Sequence, residues 1–415
     1  MCRLCETNRL VYLTDMPTAP RRSAHIAMFN IAAPGHVHPG LEVVRELVAR
    51  GHRVSYAIPD AMADLVASTG AEPRPYTSTL PSDDPADWGS GPLDNMRPFF
   101  DDAVQALPQL EVAFEGDVPD LVLSDSTSYP ARVLARRWGV PQIQLTPHMV
   151  AWEGFVMEDI NPEYAQMKRS EEGKAYFAAF RSWLDEQGVD LDVEEFTGVP
   201  ERSLVLIPSA MQPNAELVDR ERYTFVGTCG RTEGRGEEWR RPAAAEGKRL
   251  LLVSLGSTFT NEPEFYRACL QAFGDLPGWY VILQIGKHVT PEDLGPLPGN
   301  VETHPWVPQL AILEEADAFV THAGMGGSQE GLATGTPMIA VPQAADQFMN
   351  AGILEGLGVA RHVPKEKATA DALRASLAEL TSSPETTNRL AELRRATTEE
   401  GGAPHAANLI EATLR

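Results

Sequence analysis

Residues 25–31 read HIAMFNI, an apolar-rich run too short for a stable helix, the mark of a buried strand. Similar short runs recur at 53–58, 121–123, 142–145 and 203–207. Between them the period changes. An amphipathic helix is predicted from about Gly40 to Arg50 and stopped by Gly51, another is closed by Gly70, and a third covers 130–138. The second half repeats the alternation, with strands expected at 249–255, 280–285, 318–320 and 338–341 and helices filling the gaps. Strands alternating with helices imply parallel sheets joined by right-handed crossovers. The predicted fold class is therefore α/β, with two Rossmann-like, doubly wound domains.

At 415 residues the chain exceeds what one core usually organises, which agrees with two domains. The pattern divides it into a leader at 1–23 expected to be disordered, a first domain at 24–212, a linker at 213–247, a second domain at 248–396 and a C-terminal helix at 397–415 that crosses back onto the first domain. Met16 is an alternative start to Met1. The linker is polar, and its core Gly230-Arg231-Thr232-Glu233-Gly234-Arg235-Gly236 is expected to be exposed and mobile. Two stretches, 81–116 and 148–198, break the rhythm and set Trp88, Phe99, Phe100, Trp152, Phe155 and Tyr164 among acidic residues. Insertions over the carboxyl edge of a sheet are where a pocket forms, although each aromatic reads equally well as packing.

A net charge of −23 argues against a nucleic-acid partner, which needs clustered Lys and Arg, and against an anionic membrane surface. An anionic ligand must then be neutralised locally, by helix N-termini and a few donors. Cys2, Cys5, Cys229 and Cys269 are few and scattered, as in a reducing cytoplasm, and no apolar run suits a membrane span or a signal peptide. Cys2 and Cys5 form a CxxC that lacks the second ligand pair zinc requires.

The chemistry concentrates at 306–347, WVPQLAILEEADAFVTHAGMGGSQEGLATGTPMIAVPQAADQ. A buried strand breaks there into Thr321-His322-Ala323-Gly324-Met325-Gly326-Gly327-Ser328, a glycine loop opening a helix, whose free N–H groups suit a diphosphate. His322 adds a donor, Glu330 can accept from ribose hydroxyls, and Trp306 offers a face for a base. In the first half, His36 follows one strand and Asp125 another. In an open parallel sheet both lie at the carboxyl edge, and a carboxylate holding one imidazole nitrogen leaves the other to act as general base, an effect of ~10²–10⁴ in rate. The competing reading makes His36 a turn residue and Asp125 a helix cap. No metal site is expected: His36-x-His38 lacks a third ligand, and Asp190-x-Asp192 sits in an acidic run with no strand behind it. Neither Gly-x-x-x-x-Gly-Lys-Ser/Thr nor Gly-x-Gly-x-x-Gly after the first strand occurs, which disfavours ATP and NAD.

These words, with HIAMFNIAAPGHVHPGLEVVRELVARGHRVSYAIP, LDNMRPFFDDAVQALPQL, SYPARVLARRWGVP and VSLGSTFT, resemble the macrolide glycosyltransferases, inverting and metal-independent enzymes of the GT-B fold. The resemblance spans 25–414. It implies an interdomain cleft between an acceptor-binding first domain and a UDP-sugar-binding second domain, with UDP-glucose as co-substrate, no other cofactor, and a hydrophobic acceptor such as a macrolide. It implies His36 as base and Asp125 as its orienting carboxylate. It places Trp306 under uracil, Gln309 and Glu330 at uridine, Ser257, His322, Gly324, Gly327 and Ser328 around the diphosphate, and Asp346 and Gln347 on the hexose. Relatives often carry His-Gly-His-Val-Asn-Pro where this chain has Pro34-Gly35-His36-Val37-His38-Pro39, which leaves the acceptor open. Flavonoids or other phenols are alternative acceptors. A nucleotide-sugar epimerase on the same fold is the rival activity.

Overall fold

The structure is a computed structural model that describes residues 23–81, 89, 91–230, 239–258, 260–344 and 346–414. The leader through residue 22, Trp88 and the linker core at 231–236 lie outside the described residues.

Among the described residues, thirteen strands form two sheets. The first takes β1 (His25–Phe29), β2 (Arg53–Pro59), β3 (Glu72–Tyr76), β4 (Leu121–Ser124), β5 (Gln142–Thr146), β6 (Ser203–Val205) and β7 (Tyr223–Phe225), in the order β3-β2-β1-β4-β5-β6-β7. The second takes β8 (Arg249–Ser254), β9 (Trp279–Gln284), β10 (Val301–His304), β11 (Ala318–Thr321), β12 (Met338–Ala340) and β13 (Ala360–His362), in the order β10-β9-β8-β11-β12-β13. Every pairing in both sheets is parallel. In each sheet the strand order reverses once, between β1 and β4 and between β8 and β11, and a crevice opens beyond the strand ends at such a point. Because β7 pairs with β6, the first sheet extends past residue 212 into the stretch expected to be linker.

Four apolar clusters cover the four sheet faces. On one face of the first sheet Ile26, Met28, Tyr56 and Leu123 meet Val37, Val44 and Leu47 of the helix Pro34–Ala49. The helix Gly402–Thr413 adds Ala403, Ala406, Ala407 and Ile410 to this cluster, so the end of the chain is part of the first domain's core. Its Glu411 accepts from Arg50 at 3.1 Å and meets His52 at 3.2 Å. A third cluster runs across the junction, joining Val205, Ile207, Met211 and Phe225 of the first domain to Leu250 and Leu252 of the second.

The inserted aromatics divide. Phe100 is buried and stacks on Phe180 at 4.4 Å, with Trp183 and Tyr176 edge-on, so it belongs to the core beneath the sheet and not to a pocket. Trp152 packs edge-on to Phe155 and lines a cavity of about 490 Å³ with Glu153, Glu216 and Asp219. Tyr164 donates to Glu194.

Candidate active site

The helix after β1 starts earlier than its sequence suggested. Prolines at 34 and 39 pointed to a loop, but Pro34 occupies the first helical position, where its missing N–H is no loss, and Pro39 is carried inside the helix. His36 thus stands on the first helical turn, and its N–H and that of Val37 both donate to the Ala33 carbonyl. Buried Asn30 fixes the entry: its side-chain amide donates to the His36 carbonyl at 3.2 Å and to the Tyr56 hydroxyl, while its carboxamide oxygen accepts from the Ile31 N–H.

Asp125 sits one residue beyond β4 and continues the ladder by donating its N–H to the Phe29 carbonyl. Its carboxylate is 1% exposed. One oxygen lies 2.8 Å from His36 Nδ1, and the other accepts from the Thr127 N–H and hydroxyl. Asp125 therefore closes an Asx-type turn and holds an imidazole at once; the helix Tyr129–Trp138 takes Ser128, not Asp125, as its cap. Desolvation of the enclosed ring opposes charge on His36, but the Asp125 carboxylate and its hydrogen bond outweigh it and raise the histidine pKa. Burial also opposes charge on Asp125, and His36 and Thr127 reverse that effect, holding the carboxyl below its ordinary value. The outcome is an ionised Asp125 accepting from Nδ1–H and a bare His36 Nε2 turned outward.

Across the second crevice, β8 ends at Ser254; two residues on, Gly256 takes a φ of 77°, open to glycine without strain, and Ser257 follows, exposed. After β11 come His322 and Ala323, the latter at φ 60°. The His322 ring is clamped between glycines: a Cβ at Gly256 would fall 2.6 Å from its Cε1, and one at Gly324 2.4 Å from its Nε2. Desolvation lowers the His322 pKa to about 4, so the ring is neutral. Gly324 caps the helix Met325–Thr334, whose first N–H groups open into the same space. Ser328 is fully buried, and its hydroxyl finds no partner among the described residues, as a donor built for a ligand would.

Gln309 and Glu330, far apart in sequence, are joined by a bond of 2.7 Å from the Gln309 amide to the Glu330 carboxylate. Trp306 is 57% exposed on the loop after β10, three residues before Gln309. Asp346 is exposed at the start of the helix Gln347–Gly356. Gln347 is less available than its sequence position suggested: it is 4% exposed, and its carbonyl oxygen accepts from the Gln343 and Ala344 N–H groups, so only its NH₂ remains for a ligand. Gly327 is buried against Thr321 and Gln309.

Several contributors escaped the sequence reading. Gln284, at the end of β9, donates to the Gly256 carbonyl at 2.7 Å and accepts from the Val307 N–H, tying the Ser257 loop to the Trp306 loop. Asn350 is fully buried and donates to the Ala323 carbonyl and to Asp346. A polar residue closing the apolar run WYVILQ was the available signal for Gln284; Asn350 had none. His148 faces His36 with ring centroids 6.2 Å apart. The two crevices share one cleft: the helix carrying His36 touches the helix Met325–Thr334, and Asp346 lies close enough to act on His148 electrostatically.

Among the described residues no three His, Cys, Asp or Glu side chains are grouped as a metal site. Asp192 caps the helix Val193–Gly198 by accepting from the Glu195 N–H, and Asp190 is exposed. No helix among the described residues is long and apolar enough to cross a membrane.

Residues 268–411 match the family model described as "Erythromycin biosynthesis protein CIII-like, C-terminal domain". Over 96% of its length the chain is 58% identical to the oleandomycin glycosyltransferase of Streptomyces antibioticus, of which 92% is covered. It is 34% identical to NDP-glycosyltransferase YjiC of Bacillus licheniformis, over 94% of this chain and 98% of that protein. Among solved structures, the glycosyltransferase of kitacinnamycin superposes with a TM-score of 0.88 at 48% identity, covering 95% of this chain and all of the other. The calicheamicin glycosyltransferase CalG4 gives 0.82 at 32%, covering 95% and 98%. These relatives transfer glycosyl groups, which removes the ground for reading the site as an epimerase. With two parallel-sheet domains, a histidine–aspartate pair at one switch point and a helix start with clamped histidine at the other, the chain belongs to the macrolide glycosyltransferase family of GT-B enzymes.

Proposed function

We propose that this protein transfers glucose from UDP-glucose to a hydroxyl of a macrolide, with inversion, and thereby inactivates the antibiotic in self-protection or resistance. The observation that carries the reading is the His36–Asp125 pair, 2.8 Å apart, opening onto the same cleft as the donor-side loop of His322. His36 Nε2 takes the proton of the acceptor hydroxyl as its oxygen bonds to the anomeric carbon. The bond from that carbon to the β-phosphate oxygen breaks on the opposite face, and UDP departs with the electron pair. One displacement gives one inversion, hence a β-glucoside from an α-linked donor.

Charge developing on the diphosphate meets the N–H groups at the start of the helix Met325–Thr334, the Ser328 hydroxyl and neutral His322, a local answer to an anion in a chain of net charge −23. Trp306 stacks the base, the Gln309–Glu330 pair takes the ribose, and Asp346 with the Gln347 NH₂ takes the hexose. The test is incubation with UDP-glucose and a panel of macrolides and phenols, read by mass spectrometry for a gain of one hexose and by NMR for the anomeric configuration. A macrolide β-glucoside that no longer inhibits growth is the expected result. Transfer confined to phenols, or an α-linked product, would overturn the acceptor or the inversion.

A further inference from the structure

Ser126 follows Asp125 directly, half-buried at the same strand end. Its hydroxyl oxygen is 2.9 Å from His148 Nε2, and His148 Nδ1 is 2.8 Å from the Met149 carbonyl oxygen. A carbonyl oxygen only accepts, so Nδ1 carries the hydrogen and Nε2 presents its lone pair. The Ser126 O–H must then donate to Nε2. With its hydrogen committed to His148, the Ser126 oxygen can offer the cleft only lone pairs. Desolvation and the neighbouring His36 lower the His148 pKa and outweigh the Met149 hydrogen bond, which raises it, so the shift favours the neutral ring that these contacts require. Beside Asp125 the structure thus brings together two hydrogen-bond acceptors, His36 Nε2 and Ser126 Oγ, each backed by its own partner.

We propose that Ser126 and His148 form an acceptor-positioning pair that receives a second hydroxyl beside the one being glycosylated, making the enzyme selective for acceptors with neighbouring hydroxyls. This rests on the proposed role of His36 as base. The second hydroxyl donates to Ser126 Oγ and turns the first toward His36 Nε2. A substrate with one isolated hydroxyl meets the same base but lacks this second anchor.

Catechol and phenol, one differing from the other by the adjacent hydroxyl, serve as probes with UDP-glucose. The ratio of their kcat/KM values is measured in the native enzyme, S126A, S126T and H148F, each checked for an unchanged melting transition. Loss of one such hydrogen bond should lower the catechol-to-phenol ratio about tenfold in S126A. S126T, which restores the hydroxyl, should return the ratio, and H148F should match S126A because an unanchored serine can turn its hydrogen outward. A native ratio retained in S126A or in H148F overturns the proposal. So does failure to glycosylate either probe by an enzyme that still hydrolyses UDP-glucose. Absence of both transfer and UDP-glucose hydrolysis would instead overturn the reading of the donor on which the proposal rests.

Discussion

His36 owes its direction to three separate constraints: the first turn of a helix, the Asn30 amide on its carbonyl, and Asp125 on its ring. None of these involves the donor half of the site. Replacing His36 by Ala should therefore lower kcat by ~10²–10⁴ while leaving the affinity for UDP, measured by calorimetry, nearly unchanged. The base acts only when neutral. Because Asp125 raises the His36 pKa above 6.5, kcat/KM should climb with rising pH through a midpoint above that value. Asp125→Asn removes the charge responsible, so the acid limb of the profile should move to lower pH as the rate falls. An acid limb that stays in place would detach Asp125 from the titration. At this scale the sequence could nominate His36 and Asp125, since Asp125 directly follows β4 and His36 opens the helix that follows β1. The Ser126–His148 contact stayed hidden, because 22 positions separate the partners and neither belongs to a recognisable motif.

Elements were legible in proportion to their burial. The nine strands read from apolar runs are the interior strands of both sheets, buried on both faces. The four that escaped, β3, β7, β10 and β13, are the edges of those sheets. An edge strand is half open to water and needs no apolar run: β10 and β13 each bury a single residue, and β3 reads EPRPY. Two prolines argue against an interior strand but are tolerated on an edge, where a missing N–H faces no partner. The strand–loop–helix unit of β11 and Met325–Thr334 shows the opposite case, a strong local signal whose tolerance is set from outside. Gly324 has an ordinary φ of −61°, so alanine there is acceptable to the backbone, yet its Cβ would meet the His322 ring at 2.4 Å. Gly324→Ala is expected to raise the KM for the sugar nucleotide tenfold or more and to leave the acceptor KM little changed, as steady-state kinetics with each substrate varied would show. Equal losses in both would mean that the substitution acts on the fold and not on His322.

The whole molecule depends on its two ends meeting. The helix Gly402–Thr413 arrives after the second domain is complete, yet it completes the core behind the helix that carries His36. Ile410 is fully buried there. Ile410→Ala should cost about 2–5 kcal/mol in urea unfolding, the usual range for emptying a buried aliphatic site. A loss well below that would show the contact to be loose. The sequence reading expected this crossing, but the helix's amphipathic face says only that it must be covered; which side chains cover it is set by the packing.

The sequence by itself determined which segments are interior strands, that they pair in parallel, and which residues stand at their carboxyl ends. Apolar periodicity and crossover handedness are local physics and need no partner. It also nominated the glycine loop at 321–328 as the place where an anion would be held. Only the tertiary structure decided that β7 joins the first sheet, that Phe100 is core, that Gln347 spends its carbonyl on its own loop, and that His148 stands across from His36 with Ser126 as its partner. Those outcomes depend on distances between residues far apart in the chain. Such distances are set by how whole layers pack, and no local pattern encodes them.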